Sequence, residues 1–190
     1  MQNILICGAG KEEVLFAAEA VISAALECGE NIRSWKRTEY GEGPVCHIRT
    51  GGNAYSSRIM PGQADMILAM EPGEAVRSLL YLKKDGCLVL LPEEVPEEKK
   101  GGYSPKACLD FIKRRVKKLY IVQAGSVSRA CGSKKALAAA VLGTAVRTES
   151  FAFSKESMEN SVRICSPQGK KDQYLAAFTR GHAMTGMAAG

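Results

Sequence analysis

The stretch NILICGAGKEEVLFAAEAVISAAL, residues 3–26, determines the fold class. It opens with a short apolar run ending at Gly8, which predicts a buried strand followed by a turn. Apolar residues then recur at helical spacing from Val14 onward, and Gly29 is a natural helix stop. Residues 32–36 predict a second strand. The unit is therefore β-α-β, with a right-handed crossover and two parallel strands.

The rest of the chain continues this alternation of strands and helices. Short apolar runs predict further strands over 65–70, 87–91 and 119–123. Helices are predicted from Pro72 to about Leu82, through the basic run Lys113–Lys118, and after Ser133, Ser154 and Ser166, with Ser133 as an N-cap. Strands alternating with helices predict an α/β fold with a doubly wound, mostly parallel, Rossmann-like sheet.

One segment breaks the alternation. Residues 44–50 alternate between apolar and polar side chains, and a Gly-Gly-Asn turn leads to a predicted return strand over 54–58. We interpret this segment as a β-hairpin inserted into the α/β order. Because side chains alternate along a strand, His47 and Arg49 should share one face while Cys46 packs on the other.

Composition limits the classes of function. The chain has 190 residues and is predicted to form a single domain over 1–180, followed by a flexible Gly-rich tail over 181–190. No apolar stretch approaches the roughly 20 residues that span a bilayer, and the N-terminus lacks a charged leader, so we expect a cytoplasmic protein with no membrane contact. The formal net charge of +6 permits an acidic partner, but the basic residues are not interleaved with aromatic ones, so we expect no nucleic-acid partner.

The seven cysteines do not have the spacing of a metal site. The nearest two in sequence are Cys28 and Cys46, far from the C-x-x-C spacing of zinc and iron–sulfur sites. An odd number of cysteines, most of them in apolar segments, indicates reduced core residues. We therefore predict no bound metal.

The loop from Gly8 to Glu13 is the first candidate for a cofactor site. Gly8 and Gly10 match the first two glycines of a dinucleotide fingerprint, which makes them weak cofactor-binding candidates. The third position holds Glu13, and Glu12 beside it adds a second negative charge at the positive end of the helix dipole. The favoured interpretation is a tight strand-to-helix turn, with nucleotide binding as the alternative.

Signatures of catalysis are missing from the sequence. It contains no G-x-S-x-G elbow, no Walker lysine loop and no Gly-Asp-Gly thiamine motif with its Asn segment. Cys46 and His47 are adjacent on one strand, so their side chains point to opposite faces and cannot form a nucleophile–base pair. We predict no catalytic residue on this chain.

Four segments together resemble a known family. They are NILICGAG (3–10), GPVCHIR (43–49), YSSRIMPGQADMILAMEPGEAVRSLLYLKKDG (55–86) and KKALAAAVLGTAV (134–146). In order and spacing they resemble the gamma-type subunit of 2-oxoacid:ferredoxin oxidoreductases, acting on pyruvate, 2-oxoglutarate or indolepyruvate, a group that includes the beta subunit of indolepyruvate ferredoxin oxidoreductase. The first loop departs from the family, which usually has Gly-Gly-Gln-Gly where this chain has Gly10-Lys11-Glu12-Glu13.

The resemblance implies a subunit that binds no cofactor and is inactive alone. Companion subunits would decarboxylate a 2-oxo acid on thiamine diphosphate, pass electrons through iron–sulfur clusters to ferredoxin, and transfer the acyl group to coenzyme A. The implied partners are the thiamine-binding and iron–sulfur subunits, and we also allow a homodimer of the isolated chain. The alternative is a stand-alone Rossmann-like ligand-binding or interaction module that has diverged from the complex.

We expect the functional surface beyond the carboxyl ends of the strands, where open α/β sheets bind ligands. The predicted partner or substrate rim contains His47, Arg49, Glu71, Pro72 and Arg37. A structural alternative stays open for two of them. His47 could be a hydrogen-bonded structural residue, and Glu71 could be a carboxylate that complements the start of a helix.

Overall fold

A computed structural model describes residues 1–38, 43–52, 55–92, 104–133 and 135–184. The strands are β1 (Gln2–Cys7), β2 (Ile32–Arg37), β3 (Val45–Thr50), β4 (Ala64–Ala69), β5 (Leu82–Leu90) and β6 (Lys118–Ile121). The helices are α1 (Lys11–Glu27), α2 (Pro72–Ser78), α3 (Pro105–Arg115), α4 (Ala124–Cys131), α5 (Leu137–Val146), α6 (Lys155–Cys165) and α7 (Lys171–Ala183), and a 3₁₀ turn, Leu79–Tyr81, follows α2.

The six strands form one sheet in the order β2-β3-β1-β4-β5-β6. Strands β1, β4, β5 and β6 run parallel, which confirms the mostly parallel sheet. Strand β3 is antiparallel to both of its neighbours. As a result β1 and β2 point the same way, as a β-α-β unit predicts, but β3 lies between them.

The inserted hairpin consists of β2 and β3. Arg37 at the end of β2 pairs with Val45 at the start of β3. The predicted return strand over 54–58 is wrong, because residues 55–58 are not a strand; residue 54 lies outside the described residues. The physical reason is that β3 already pairs along both edges, with β1 on one side and β2 on the other, so no edge is left for a further strand.

Helices cover both faces of the sheet, which confirms the doubly wound arrangement. Ile4 and Ile6 of β1 belong to an apolar core on one face that also contains residues of α1, α4, α5, α6 and α7. Leu5 and Cys7 belong to a second core on the other face, with residues of α2 and α3. The alternation along one strand therefore contributes side chains to two apolar cores.

Small residues bring α5 and α7 close together. A Cβ atom added at Gly143 would lie 2.0 Å from the carbonyl oxygen of Phe178, and one added at Gly181 would lie 2.1 Å from that of Ala140. The hydroxyl of Thr144 also donates a hydrogen bond to the carbonyl oxygen of Gly181, at 3.1 Å. Residues 181–183 therefore belong to α7 and not to the predicted tail. Residues 185–190 lie outside the described part.

The helix starts agree in part with the sequence. A helix was predicted after Ser154, and Ser154 caps α6 by accepting a hydrogen bond from the N–H of Ser157. Ser133 caps no helix, because α5 begins only at Leu137. In the described residues no helix is long and apolar enough to cross a membrane.

Candidate functional site

The carboxyl ends of the parallel strands meet at one edge of the sheet. Cys7 pairs with Ala69 of β4, and Ala69 pairs with Leu90 of β5. The antiparallel hairpin reaches the same level, since Val45 lies opposite Cys7 and also opposite Arg37. Three predicted rim residues, Arg37, Glu71 and Pro72, are therefore at this edge together with the first loop.

Glycines allow the hairpin connection to approach the first loop. A Cβ atom added at Gly43 would lie 2.5 Å from the carbonyl oxygen of Gly8 and 2.6 Å from Cδ of Glu74. The N–H of Gly8 donates to the carbonyl oxygen of Pro44 at 3.4 Å. No side chain fits between these segments, so the rim is closely packed at this point.

Glu71 has a structural role at the rim. It is the N-cap of α2, and its two carboxylate oxygens accept hydrogen bonds from the N–H groups of Gly73 and Glu74, each at 2.7 Å. Pro72 occupies the first turn of the helix and is buried. The interpretation of Glu71 as a helix-start carboxylate is confirmed.

The first loop does not fit a dinucleotide. Gly10 is the N-cap of α1, and a Cβ atom added there would lie 2.0 Å from Oε2 of Glu13, so the Glu13 carboxylate folds back over the helix start. Glu12 forms an ion pair with Lys135 at 2.6 Å, and the hydrogen bond from Lys135 lowers the pKa of Glu12. A pyrophosphate needs the helix N-terminus that a carboxylate now occupies.

The thiols do not fit an iron–sulfur cluster. Within the described ranges, no group of three or more His, Cys, Asp or Glu side chains is arranged to hold a metal ion. Burial raises the pKa of Cys7 and Cys87 to about 12 and that of Cys46 to about 11. These thiols are therefore protonated at neutral pH.

His47 is a buried, neutral ring on β3. The N–H of Ile59 donates to its Nδ1 at 3.0 Å, which leaves the proton on Nε2. Trp35 and Tyr81 contact the ring edge-to-face, with centroid distances of 5.1 and 5.2 Å. Burial, followed by the charges of Arg58 and Arg37, lowers the pKa of His47 to about 4.

His47 lines a cleft of about 310 Å³ beside the rim, which we call the His47 cleft. The residues that line it come from the hairpin, α2 and the following 3₁₀ turn: Trp35, Arg37, Val45, His47, Glu74, Arg77, Ser78, Leu80 and Tyr81. Arg77 forms an ion pair with Glu74 one helical turn away. Sequence reasoning missed Glu74 and Arg77, although their i,i+3 spacing after Glu71-Pro72 was a signal of a polar helix face.

Arg49 lies near the opposite end of the strands, away from the rim. It pairs with Asn3, four residues before Cys7 and hence about 13 Å from the rim along β1. Its guanidinium donates to Oδ1 of Asn3 and to the carbonyl oxygen of Ser56, both at 3.0 Å. The prediction that Arg49 shares the rim is wrong, because an antiparallel β3 carries its last residues away from the carboxyl ends of β1 and β4.

Comparison with known sequences gives a match over nearly the whole chain. A family model described as pyruvate ferredoxin/flavodoxin oxidoreductase matches residues 3–184. Two curated relatives are named indolepyruvate oxidoreductase subunit IorB, from Thermococcus kodakarensis and Pyrococcus horikoshii. Each is 28% identical over 189 residues, covering 94% of this chain and 93% of the relative.

Solved structures share the fold. The gamma subunit of a keto/oxoacid ferredoxin oxidoreductase from Geobacter sulfurreducens has a TM-score of 0.69 and 18% identity, over 96% of both chains. Pyruvate oxidoreductase subunit PORC from Thermotoga maritima has a TM-score of 0.66 and 18% identity, over 95% of this chain and 94% of its own. A 2-oxoglutarate:ferredoxin oxidoreductase from Magnetococcus marinus has a TM-score of 0.69 and 16% identity, over 96% of this chain but 30% of its own.

Proposed function

The chain belongs to the pyruvate ferredoxin/flavodoxin oxidoreductase family, and we propose that it is the small, non-catalytic, gamma-type subunit of a 2-oxoacid:ferredoxin oxidoreductase. In this role companion subunits carry out the thiamine-dependent oxidative decarboxylation of a 2-oxo acid to an acyl-CoA. They hold the thiamine diphosphate, the iron–sulfur clusters and the coenzyme A, and they deliver electrons to ferredoxin.

One observation carries the proposal: the same unit occurs both as a separate subunit and as part of a longer chain. The IorB relatives match along 93% of their length, so the unit is a separate chain there. In the Magnetococcus marinus enzyme, whose structure has 2-oxoglutarate, coenzyme A and succinyl-CoA bound, it is 30% of one chain. A unit that is a separate subunit in one relative and part of a longer enzyme chain in another supports a role beside companion chains.

The chain's own residues support a packing and docking role. The Glu13 carboxylate lies where a phosphate would bind, and the buried thiols of Cys7 and Cys87 are protonated. His47 is neutral, and its Nδ1 is already taken by the N–H of Ile59, so it is not placed to accept a proton from a substrate.

The names of the relatives suggest which 2-oxo acid to test first. Curated relatives from four organisms are indolepyruvate oxidoreductase subunits, at 26–28% identity. We therefore propose an aromatic 2-oxo acid as the substrate of the complex, with pyruvate and 2-oxoglutarate as the comparison substrates.

We also propose a cytoplasmic location, and a docking role for the rim at Arg37, Glu71 and Pro72 together with His47 in the cleft beside it. Free thiols at all seven cysteines suit a reducing compartment. The rim lies at the edge where open α/β sheets meet their ligands and partners.

Purification of the chain expressed without companions tests the proposal. The protein should be colourless, should reduce no acceptor when given indolepyruvate, pyruvate or 2-oxoglutarate, and should show no saturable binding of NAD, NADP or FAD. Stoichiometric iron or thiamine diphosphate in the purified chain, or turnover of any of the three acids, would contradict it.

A further inference from the structure

An apolar ridge is exposed beside the His47 cleft. Leu80 is 56% exposed and Met60 is 59% exposed, although both are large apolar side chains. They lie on adjacent backbone segments, because the N–H of Gly62, two residues after Met60, donates to the carbonyl oxygen of Leu80 at 2.9 Å. Leu80 also lines the cleft, so the ridge forms one of its borders.

The border on the hairpin side combines an aromatic ring with a cation. The guanidinium carbon of Arg58 lies 4.3 Å from the centre of the Trp35 ring, and Trp35 itself lines the cleft. Strand β2, which carries Trp35, is at the edge of the sheet. Trp, Tyr, Arg and Met are the residue types enriched in the centres of protein interfaces.

Two side chains that line the cleft, those of His47 and Arg77, carry hydrogen-bond donors. Because Nδ1 of His47 is an acceptor for Ile59, its Nε2–H is the donor of the ring. Arg77 is 67% exposed, and its pairing with Glu74 uses one amino group of the guanidinium and leaves further donors. Among the described residues that line the cleft, Glu74 is the one with a carboxylate side chain.

This arrangement selects one kind of occupant. An apolar side chain would bury these donors without acceptors, and a cationic one would meet the guanidinium of Arg77. A carboxylate can accept from both the imidazole and the guanidinium. The net charge of +6 on the chain also favours a partner with a negatively charged surface.

We propose that the His47 cleft receives an acidic side chain of the thiamine-binding companion subunit, whose flanking apolar residues cover Leu80 and Met60. The inference rests on the proposed function and adds the chemistry by which the companion is recognised. The carboxylate accepts hydrogen bonds from His47 Nε2–H and from Arg77, and the ridge excludes water from this contact.

The proposal is tested by measuring the affinity of this chain for the thiamine-binding companion subunit that is encoded in the same genome. The variants are Arg77→Gln, Leu80→Ser and His47→Asn, of which the last keeps an acceptor for Ile59 but loses the Nε2–H. Arg163→Gln is the matched control, since Arg163 is 55% exposed and paired with Glu159 on α6, on the opposite face of the sheet. Circular dichroism and a thermal melt of each variant report whether it folds.

Each of the three cleft variants should raise the Kd by at least about tenfold, and Arg163→Gln should change it by less than about twofold. Affinity of the wild type should also fall between about 50 and 300 mM salt, and Arg77→Gln should flatten that dependence. A complex whose Kd is unchanged in Arg77→Gln and Leu80→Ser overturns the cleft and leaves the subunit assignment standing. Failure of the wild type to form any complex overturns both.

Discussion

Lowering the pH from 7 to 5 should destabilise the folded protein by about 2 kcal/mol through His47 alone. The ring is buried, and Ile59 donates to Nδ1, the atom that would have to take up the proton. Burial, with Arg58 and Arg37 nearby, lowers the pKa of His47 from its ordinary 6.5 to about 4. Protonation in the folded state therefore needs a more acidic solution than protonation in the unfolded state.

The direction and the size of this destabilisation follow from the difference between the pKa of His47 in the folded and in the unfolded chain. The unfolded chain takes up the proton near pH 6.5, whereas the folded protein does so near pH 4. The contribution of His47 is thus fully present above pH 6.5 and is lost as the pH falls toward 4. The two pKa values give a loss of about 2 kcal/mol between pH 7 and pH 5, and about 3 kcal/mol when the loss is complete.

Urea denaturation at several pH values between 7 and 5 measures this loss. His47→Asn is the control, because it keeps an acceptor for Ile59 and does not titrate in this range. The stability of the wild type should fall by about 2 kcal/mol more than that of the variant. Equal slopes for the two proteins, or an NMR titration that places the pKa of His47 near 6.5, would refute the reasoning.

Three further predictions concern packing and thiol reactivity. Glu71→Ala should cost about 1–2 kcal/mol of stability in urea denaturation, because two N–H groups of α2 lose their acceptor, and an unchanged midpoint would contradict the cap. Gly143→Ala should cost about 3 kcal/mol and lower the Tm, since the new Cβ meets the backbone of Phe178; an unaltered Tm would mean that α5 and α7 are not in contact there. The exposed Cys28 should react with a maleimide in the native protein, whereas Cys87 should react only after denaturation, and early labelling of Cys87 would argue against its burial.

The sequence predicted those parts of the fold that local pattern determines. The short apolar runs of β1, β4, β5 and β6 predict buried strands without knowledge of their neighbours, and the periodicity of α1 predicts a helix with one apolar face. Pro72 at the start of α2 follows from its fixed φ angle. The position of β3 between β1 and β2 was not predictable in the same way. Its alternating side chains do not determine which strand lies beside it, and its pairing with β1 joins residues far apart in the chain.

Helix α4 and the details of the His47 cleft were also not predictable from local sequence. Residues 124–131 carry three residues with weak helix propensity, Gly125, Ser126 and Ser128, and the helix packs against α7, which is distant in sequence. That Arg37 and Glu71 lie at the same edge could be predicted, because each follows the carboxyl end of a strand in a mostly parallel sheet. The tautomer of His47 could not, because it depends on the N–H of Ile59, which only the folded chain brings to Nδ1.

Reconstitution of the oxidoreductase from separately purified chains tests the central claim most directly. The companion subunits are mixed with ferredoxin, coenzyme A and indolepyruvate, and ferredoxin reduction is followed as this chain is added. The account predicts that the rate rises with added chain and saturates at a fixed stoichiometry, while the chain alone reduces nothing. A rate that does not change on addition of the chain, together with no co-elution on gel filtration, would contradict it.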